Sequence, residues 1–366
     1  MHAAPSRTAR CAAALLGVLA LTLLTASPSA AHQAAPASPL AAPAASAPAY
    51  DPTARPTAIV GIGDSLTSGE GGGSYRAGRA PGQWCHRSAH AQVELARPPG
   101  VDTTVNLACS GAGTDHVRLG GSRHYGERPQ TEALADVTRT HDVRSIVLTV
   151  GANDIPVAGL AVECALRFLT WRPACADRWD TELPKRLTAL QPRIEQNLRD
   201  IRTVMRRSGR PDDSYDLILQ SYASPSGGVS RHSLLRRAAE GCPFSDRDMR
   251  WVRDTMFPAL TATSAKVAAA VPGVRFLDLT HALDGRQVCA PGTTRKAELS
   301  WGVHLDPTRL VHGPGPNLVA HSLHPNAAGH RELARCLAQF HTHPDPSATC
   351  VRPPGPDRGP QLAPRP

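Results

Sequence analysis

The chain has 366 residues, 41% hydrophobic and only 4% aromatic, and its 40 Lys and Arg against 31 Asp and Glu leave a formal net charge of +9. That is enough apolar material for a substantial core in one large domain or two small ones. A nucleic-acid-binding protein would gather such a charge excess into a stripe with aromatic partners. Here Arg is scattered, and the densest group, Arg202 to Arg210, fits the solvated end of a helix. No nucleic-acid partner is expected, and the charge reads as surface chemistry with some attraction for anionic cell-envelope material.

At the N-terminus, Arg7 and Arg10 precede an apolar run from Cys11 to Ala26, and Ser29-Ala30-Ala31 follows with small residues. The pattern predicts a cleaved secretory signal over 1–31 rather than a membrane anchor, because the run is near the lower limit for spanning a bilayer. No later stretch is apolar enough to span, so a secreted, extracellular protein with no stable membrane span is expected. Residues 32–57 are rich in Ala, Pro and Ser without periodicity and predict a disordered linker. Residues 351–366 are similarly Pro-rich and predict a disordered tail, which leaves 58–350 as the folded domain.

Within that domain short apolar runs alternate with helical patterns. Strands are predicted at Ala58–Ile62, Thr103–Ala108, Ser145–Val150, Tyr215–Gln220 and Val274–Leu279. Continuous apolar runs of this length suit a parallel sheet covered on both faces. Helices are predicted at Leu183–Arg207, Arg247–Val271 and Asn326–Gln339, the first from apolar residues at Leu187, Leu190, Ile194, Leu198, Ile201 and Met205. The alternation gives an α/β fold, a doubly wound, flavodoxin-like parallel sheet sandwiched by helices.

Cys11 lies in the signal, leaving eight cysteines: Cys85, Cys109, Cys164, Cys175, Cys242, Cys289, Cys336 and Cys350. An even count in an exported chain predicts four disulfides. Eight cysteines allow 105 pairings, and the local spacings favour a sequential pattern. His304, His312, His321, His324, His330, His341 and His343 crowd the C-terminal part, but no nearby carboxylate or Cys pair completes a ligand set and no C-x-x-C occurs. Neither metal nor cofactor is expected.

In doubly wound sheets reactive groups collect beyond the carboxyl ends of the strands. Asp64-Ser65, Ser110-Gly111 and Asn153-Asp154 stand at such positions after the first three strands. A serine at a strand-to-helix turn sits where backbone N–H groups stabilise an anion. There is no G-x-S-x-G and no G-x-x-x-x-G-K-[ST], which argues against an α/β-hydrolase and an NTPase. Asp64 is expected to tie down the turn, Asp154 to cap the segment after the third strand, and Gly69–Gly73 to form a flexible rim rather than a phosphate cradle.

Four blocks occur in order: Gly63-Asp64-Ser65-Leu66, Asn106-Leu107-Ala108-Cys109-Ser110-Gly111, Gly151-Ala152-Asn153-Asp154 and Ser322-Leu323-His324-Pro325-Asn326. With them the chain resembles the SGNH (GDSL) hydrolases from Ile59 to the last helix. Trp84-Cys85-His86-Arg87-Ser88 and Phe276-Leu277-Asp278-Leu279 leading to Cys289 are similar to a secreted actinobacterial branch of esterases and lipases. The resemblance implies a doubly wound sheet, consecutive disulfides beginning with Cys85–Cys109, Ser65 as nucleophile and His324 as base. It also implies an oxyanion hole from the Ser65 and Gly111 N–H groups and the Asn153 amide. One position departs: three residues before His324, where the family carries Asp, stands His321. Some members of that branch use a main-chain carbonyl instead, so the His321 carbonyl is the expected orienter, with Asp278, Asp284 and Asp306 as remote alternatives.

The expected activity is ester hydrolysis through an acyl-enzyme by a monomer acting on a small ester or lipid. Acyl transfer, polysaccharide deacetylation and non-catalytic envelope binding are the competing readings. Lipid acyl chains, acetylated polysaccharide and phospholipid all remain open as substrates.

Overall fold

A computed structural model describes residues 55–76, 84–304, 320–355 and 358–364, all within a unit spanning 52–366. The signal (1–31) and nearly all of the linker (32–57) lie outside the described residues, as do Asp306 and His312.

The first strand, β1 (Thr57–Gly63), is buried at every position after Thr57. A strand buried on both faces needs parallel neighbours on both edges and helices above and below. β1 pairs in parallel with β2 (Thr103–Asn106) on one side and β3 (Asp142–Thr149) on the other. The sheet continues through β4 (Asp216–Gln220), β5 (Val274–Asp278), β6 (Ser347–Val351) and β7 (Gln361–Pro364), in the order β2-β1-β3-β4-β5-β6-β7. Only β6–β7 is antiparallel. This is the doubly wound, flavodoxin-like order, and it reverses direction between β1 and β3, where such sheets open a crevice.

In chain order the helices are α1 (Ser65–Ser68), α2 (Gln92–Ala96), α3 (Thr114–Val117), α4 (Gln130–Thr140), α5 (Val157–Leu169), α6 (Ala176–Arg207), α7 (Leu234–Arg237), α8 (Asp246–Trp251), α9 (Phe257–Ala270) and α10 (Ala327–His341). α2 packs on α10, while α6 packs on α4 and α9. Among the described residues no helix is long and apolar enough to cross a membrane. Among the described residues four disulfides join consecutive cysteines: Cys85–Cys109, Cys164–Cys175, Cys242–Cys289 and Cys336–Cys350.

Several expectations need correction. The tail is not wholly irregular, because Gln361–Pro364 adds β7 antiparallel to β6. Proline is tolerated on an edge strand, where one row of N–H groups has no ladder partner. α6 begins at Ala176 rather than Leu183, because the Asp248 carboxylate accepts the Ala176 N–H at 2.9 Å. That cap comes from α8, far along the chain, and has no local signature. The segment read as one helix over 247–271 is broken by a π turn at Val252–Met256. Pro258, at the start of α9, has no N–H for the regular ladder, and the wider turn accommodates it. Arg202 is not solvated: it is buried and donates to the Pro272 carbonyl at 2.8 Å.

Candidate active site

β1 delivers the first block. Gly63 has φ +132°, and a Cβ there would lie 1.9 Å from the Thr149 oxygen, so only glycine lets the ends of β1 and β3 close up. Gln130 brackets the same residue, accepting from the Gly63 N–H at 2.7 Å and donating to its carbonyl at 2.8 Å. Asp64 caps α1 by accepting the Leu66 N–H at 3.1 Å, and Ser65 opens the helix. The Ser65 N–H lies in the first turn, where helix geometry provides no internal acceptor.

His324 arrives from the other end of the chain. Asn326 caps α10 by accepting the Ala328 and Gly329 N–H groups, each at 3.0 Å, and Trp301 N–H donates to the His324 carbonyl at 2.9 Å. The half-buried ring places Nε2 at 2.7 Å from Ser65 Oγ and Nδ1 at 3.1 Å from the Ser322 carbonyl. A carbonyl only accepts, so Nδ1 carries the proton, Nε2 is bare, and Ser65 O–H donates to it. Burial pushes the His324 pKa below its ordinary value, against the charge of Glu70 and the backbone acceptors at Ser322 and Ala320, so the ring is a free base near neutrality.

The carbonyl that faces His324 Nδ1 is therefore that of Ser322, not that of His321, the expected orienter. The His321 carbonyl instead accepts the His324 N–H at 3.1 Å, closing a four-residue turn. Leu323, third in that turn, has φ +63°, the left-handed value that a type II turn requires there and that flips the central peptide. The flipped carbonyl belongs to Ser322. The two remote candidates among the described residues, Asp278 and Asp284, are engaged elsewhere. Asp278 accepts from Ser221 Oγ at 3.2 Å and the Thr280 N–H at 2.9 Å, and Asp284 meets His281 and Gln287 at 2.8 and 2.6 Å.

The second block is tied to the first, and the third to the second. Cys109 N–H donates to the Gly63 carbonyl at 3.1 Å, and Asn153 Nδ2 donates to the Ala112 carbonyl at 2.9 Å. That bond uses one amide hydrogen and leaves a second for an oxyanion. Gly111 sits between these ties with φ +80°. Asp154 caps a different element from the one expected: it accepts the Thr114 N–H at 3.0 Å and hydroxyl at 2.5 Å at the start of α3.

Sequence reasoning left several supporting residues unassigned. Tyr222, beyond β4, donates to Asp64 and accepts the Ala152 N–H at 3.1 Å, linking the Ser65 turn to the Asn153 loop. Burial drives Asp64 up to about 7, opposed by that Tyr222 bond. The Gly69–Gly73 segment is no loose rim. Glu70 is fully buried there, its carboxylate bonded to His86 and to Ser110 Oγ at 2.8 Å. Single residues with partners far along the chain leave no spacing to read. Among the described residues two ligand-like groups converge, His232 with Cys242 and Cys289, and Cys164 and Cys175 with Asp248. In both, the cysteines are joined to each other, which removes their thiolates.

Against known proteins, residues 62–332 match the model of the GDSL-like lipase/acylhydrolase family. No curated protein matches the chain. Among solved structures it is similar to an extracellular lipase from Streptomyces rimosus, with 22% identity over 78% of this chain and 100% of that one and a TM-score of 0.52. It is also similar to phospholipase A1 from Streptomyces albidoflavus NA297, with 20% identity over 78% and 99% and a TM-score of 0.53. At these identities the two likenesses speak for the fold. The family match, spanning all four blocks, says more: the chain belongs to the GDSL-like lipase/acylhydrolase family of ester hydrolases.

Proposed function

We propose that the protein is an exported serine carboxylester hydrolase that cleaves esters of apolar acyl chains through an acyl-enzyme on Ser65. The observation that carries this reading is the single imidazole held between Ser65 Oγ and a main-chain carbonyl. Ser65 Oγ attacks the ester carbonyl carbon while its proton passes to His324 Nε2. The Ser65 and Gly111 N–H groups and the Asn153 amide hold the developing oxyanion. The alcohol leaves with the proton from Nε2. Water then attacks the acyl-enzyme, again giving its proton to Nε2, and releases the acid as the proton returns to Ser65 Oγ.

The acyl preference rests on the space beside the histidine. An apolar cavity lies among α5, the π turn and α9, lined by Leu160, Met249, Met256, Phe257 and Leu323, the residue before His324. Ligand sites are ordinarily apolar with few polar groups. The outer face of α5 exposes Val162, Leu166 and Leu169, and Trp171 beyond its end is 78% exposed. Such area is unnecessary for a small soluble acetate and suits contact with aggregated lipid. Four disulfides favour an oxidising, extracellular setting.

A chain-length series of p-nitrophenyl esters tests the proposal. Wild type is expected to turn over medium or long acyl chains in preference to acetate, and Met256→Trp to move the optimum towards shorter chains. A preference for acetate unaffected by Met256→Trp would remove the cavity from the reading.

A further inference from the structure

Glu70 is buried without any exposed surface, five residues after Ser65, and the mechanism above does not use it. Each of its polar groups reaches a different part of the site. Its N–H donates to the Ser65 carbonyl at 2.9 Å, and its own carbonyl accepts from His330 Nε2, on α10, at 2.9 Å. One carboxylate oxygen, Oε2, takes the His86 ring and Ser110 Oγ, the latter at 2.8 Å and adjacent to Gly111. The other, Oε1, accepts from Tyr75 OH at 3.3 Å and lies 3.4 Å from His321 Nε2. Tyr75 OH and His321 Nε2 are themselves 2.8 Å apart. The Cys85–Cys109 disulfide adjoins both partners of Oε2, since His86 follows Cys85 and Ser110 follows Cys109.

A buried carboxylate persists only where donors and opposite charge compensate its lost hydration. Here the compensating groups are His86 and Tyr75, Ser110 beside Gly111, and His321 in the His324 turn. The Ser322 carbonyl fixes the His324 tautomer but supplies only a dipole when the ring becomes an imidazolium. Glu70 brings a full negative charge to the same neighbourhood. Resting on the dyad reading above, we propose that Glu70 is a positioning residue that joins the Ser65, Ser110–Gly111 and His321–His324 segments and stabilises the His324 imidazolium through space. His321, in the position where an aspartate is missing, is one of its ligands.

Electrostatics agree in direction. Burial raises the Glu70 pKa, but the His86 bond and charge, the His324 charge and the Ser110 bond outweigh it and hold the carboxyl down to about 2, ionised throughout the working range. Besides Glu70, the groups that act on the His324 ring are the Ser322 and Ala320 backbone and the His86 and His330 rings.

The test is the acid limb of kcat/KM against pH, which reports the free-enzyme pKa of the base. Removing a nearby negative charge lowers a histidine pKa by about one unit or more. Glu70→Gln in the full chain is therefore expected to lower plateau kcat by roughly ten- to a hundredfold while moving the limb to lower pH. Glu70→Asp is expected to restore the limb and part of the rate. The limb position does not depend on how much protein folds, so a poorly folding variant still answers. If Glu70→Gln gives no folded protein, His86→Gln asks the question from the other side: losing the ring bonded to Oε2 leaves Glu70 less compensated and moves the limb up. A reduced plateau with an unmoved limb in Glu70→Gln, or an unmoved limb in His86→Gln, overturns the inference. Wild-type enzyme that fails to turn over esters or to label at Ser65 would instead overturn the dyad reading itself.

Discussion

The two members of the proposed dyad are held by different kinds of structure. Ser65 stands at the end of a strand buried on both edges, fixed by ladder bonds to β2 and β3 and by a glycine that no side chain can replace. His324 hangs on one turn, and its tautomer depends on the backbone angle of a single leucine. Sheet geometry is shared over many residues and tolerates local change. A turn with one residue at positive φ concentrates its control in that residue.

The largest expected effect tests the strand side. Ser65→Ala is expected to fold normally and to lose about 10⁴-fold or more in kcat/KM, retaining what the oxyanion donors alone supply. Next comes Asn153→Ala, expected to cost roughly 10²–10³ in kcat with KM little changed, as loss of one oxyanion donor does. A loss confined to KM would mean that Asn153 contacts the substrate in its ground state.

The turn side is sharper to probe. Leu323→Val puts a β-branched residue where φ is +63° and is expected to lower kcat by about ten- to a hundredfold through a rotated Ser322 carbonyl. Leu323→Gly accepts that angle freely. It is expected to keep kcat on a short ester while raising KM for long acyl chains, because Leu323 also lines the cavity. Equal damage from both changes would show packing, not the turn, to be decisive.

Acid stability gives a smaller and signed effect. His330 and His341 are pushed down by burial to about 4, so each contributes stability that is present above 6.5 and lost as pH falls towards 4. Glu70, held at about 2, adds a contribution lost below 4.5. Asp64, raised to about 7, runs the other way, its contribution fading as pH rises from 3.8 through 7. The two histidines outweigh the one aspartate between pH 6.5 and 4, so Tm is expected to fall across that window and to fall more steeply in Asp64→Asn. A flat profile in both proteins would contradict the burial of these groups.

Legibility follows the same division. β1 to β5 were readable within a few residues because their apolar runs are continuous, and Ser65, Asn153 and Gly111 because they end those runs. β6 and β7 were not, since a short strand such as Ser347–Val351 beside a proline-rich edge carries no pattern of its own. The sequence reading placed the orienting carbonyl at His321, one residue early, because nothing in Ser322-Leu323-His324 announces a left-handed leucine. Glu70, Tyr75, His86, Gln130 and Tyr222 have no assigned role there because their side-chain hydrogen-bond partners lie 16 residues away or more, apart from the short Tyr75 contacts with Glu70 and Gly71. The least effect of all is expected at the remote carboxylates. Asp278→Asn, Asp284→Asn and Asp306→Asn should each leave kcat within about twofold, whereas losing a true triad carboxylate costs about 10⁴.

The central claim is that Ser65 is the nucleophile and His324 its base. A fluorophosphonate followed by peptide mapping tests it most directly. The account predicts one label per chain, on Ser65, formed quickly in wild type and slowed by orders of magnitude in His324→Ala. Stoichiometric labelling of another serine, or labelling of Ser65 at the wild-type rate without the His324 ring, would contradict it.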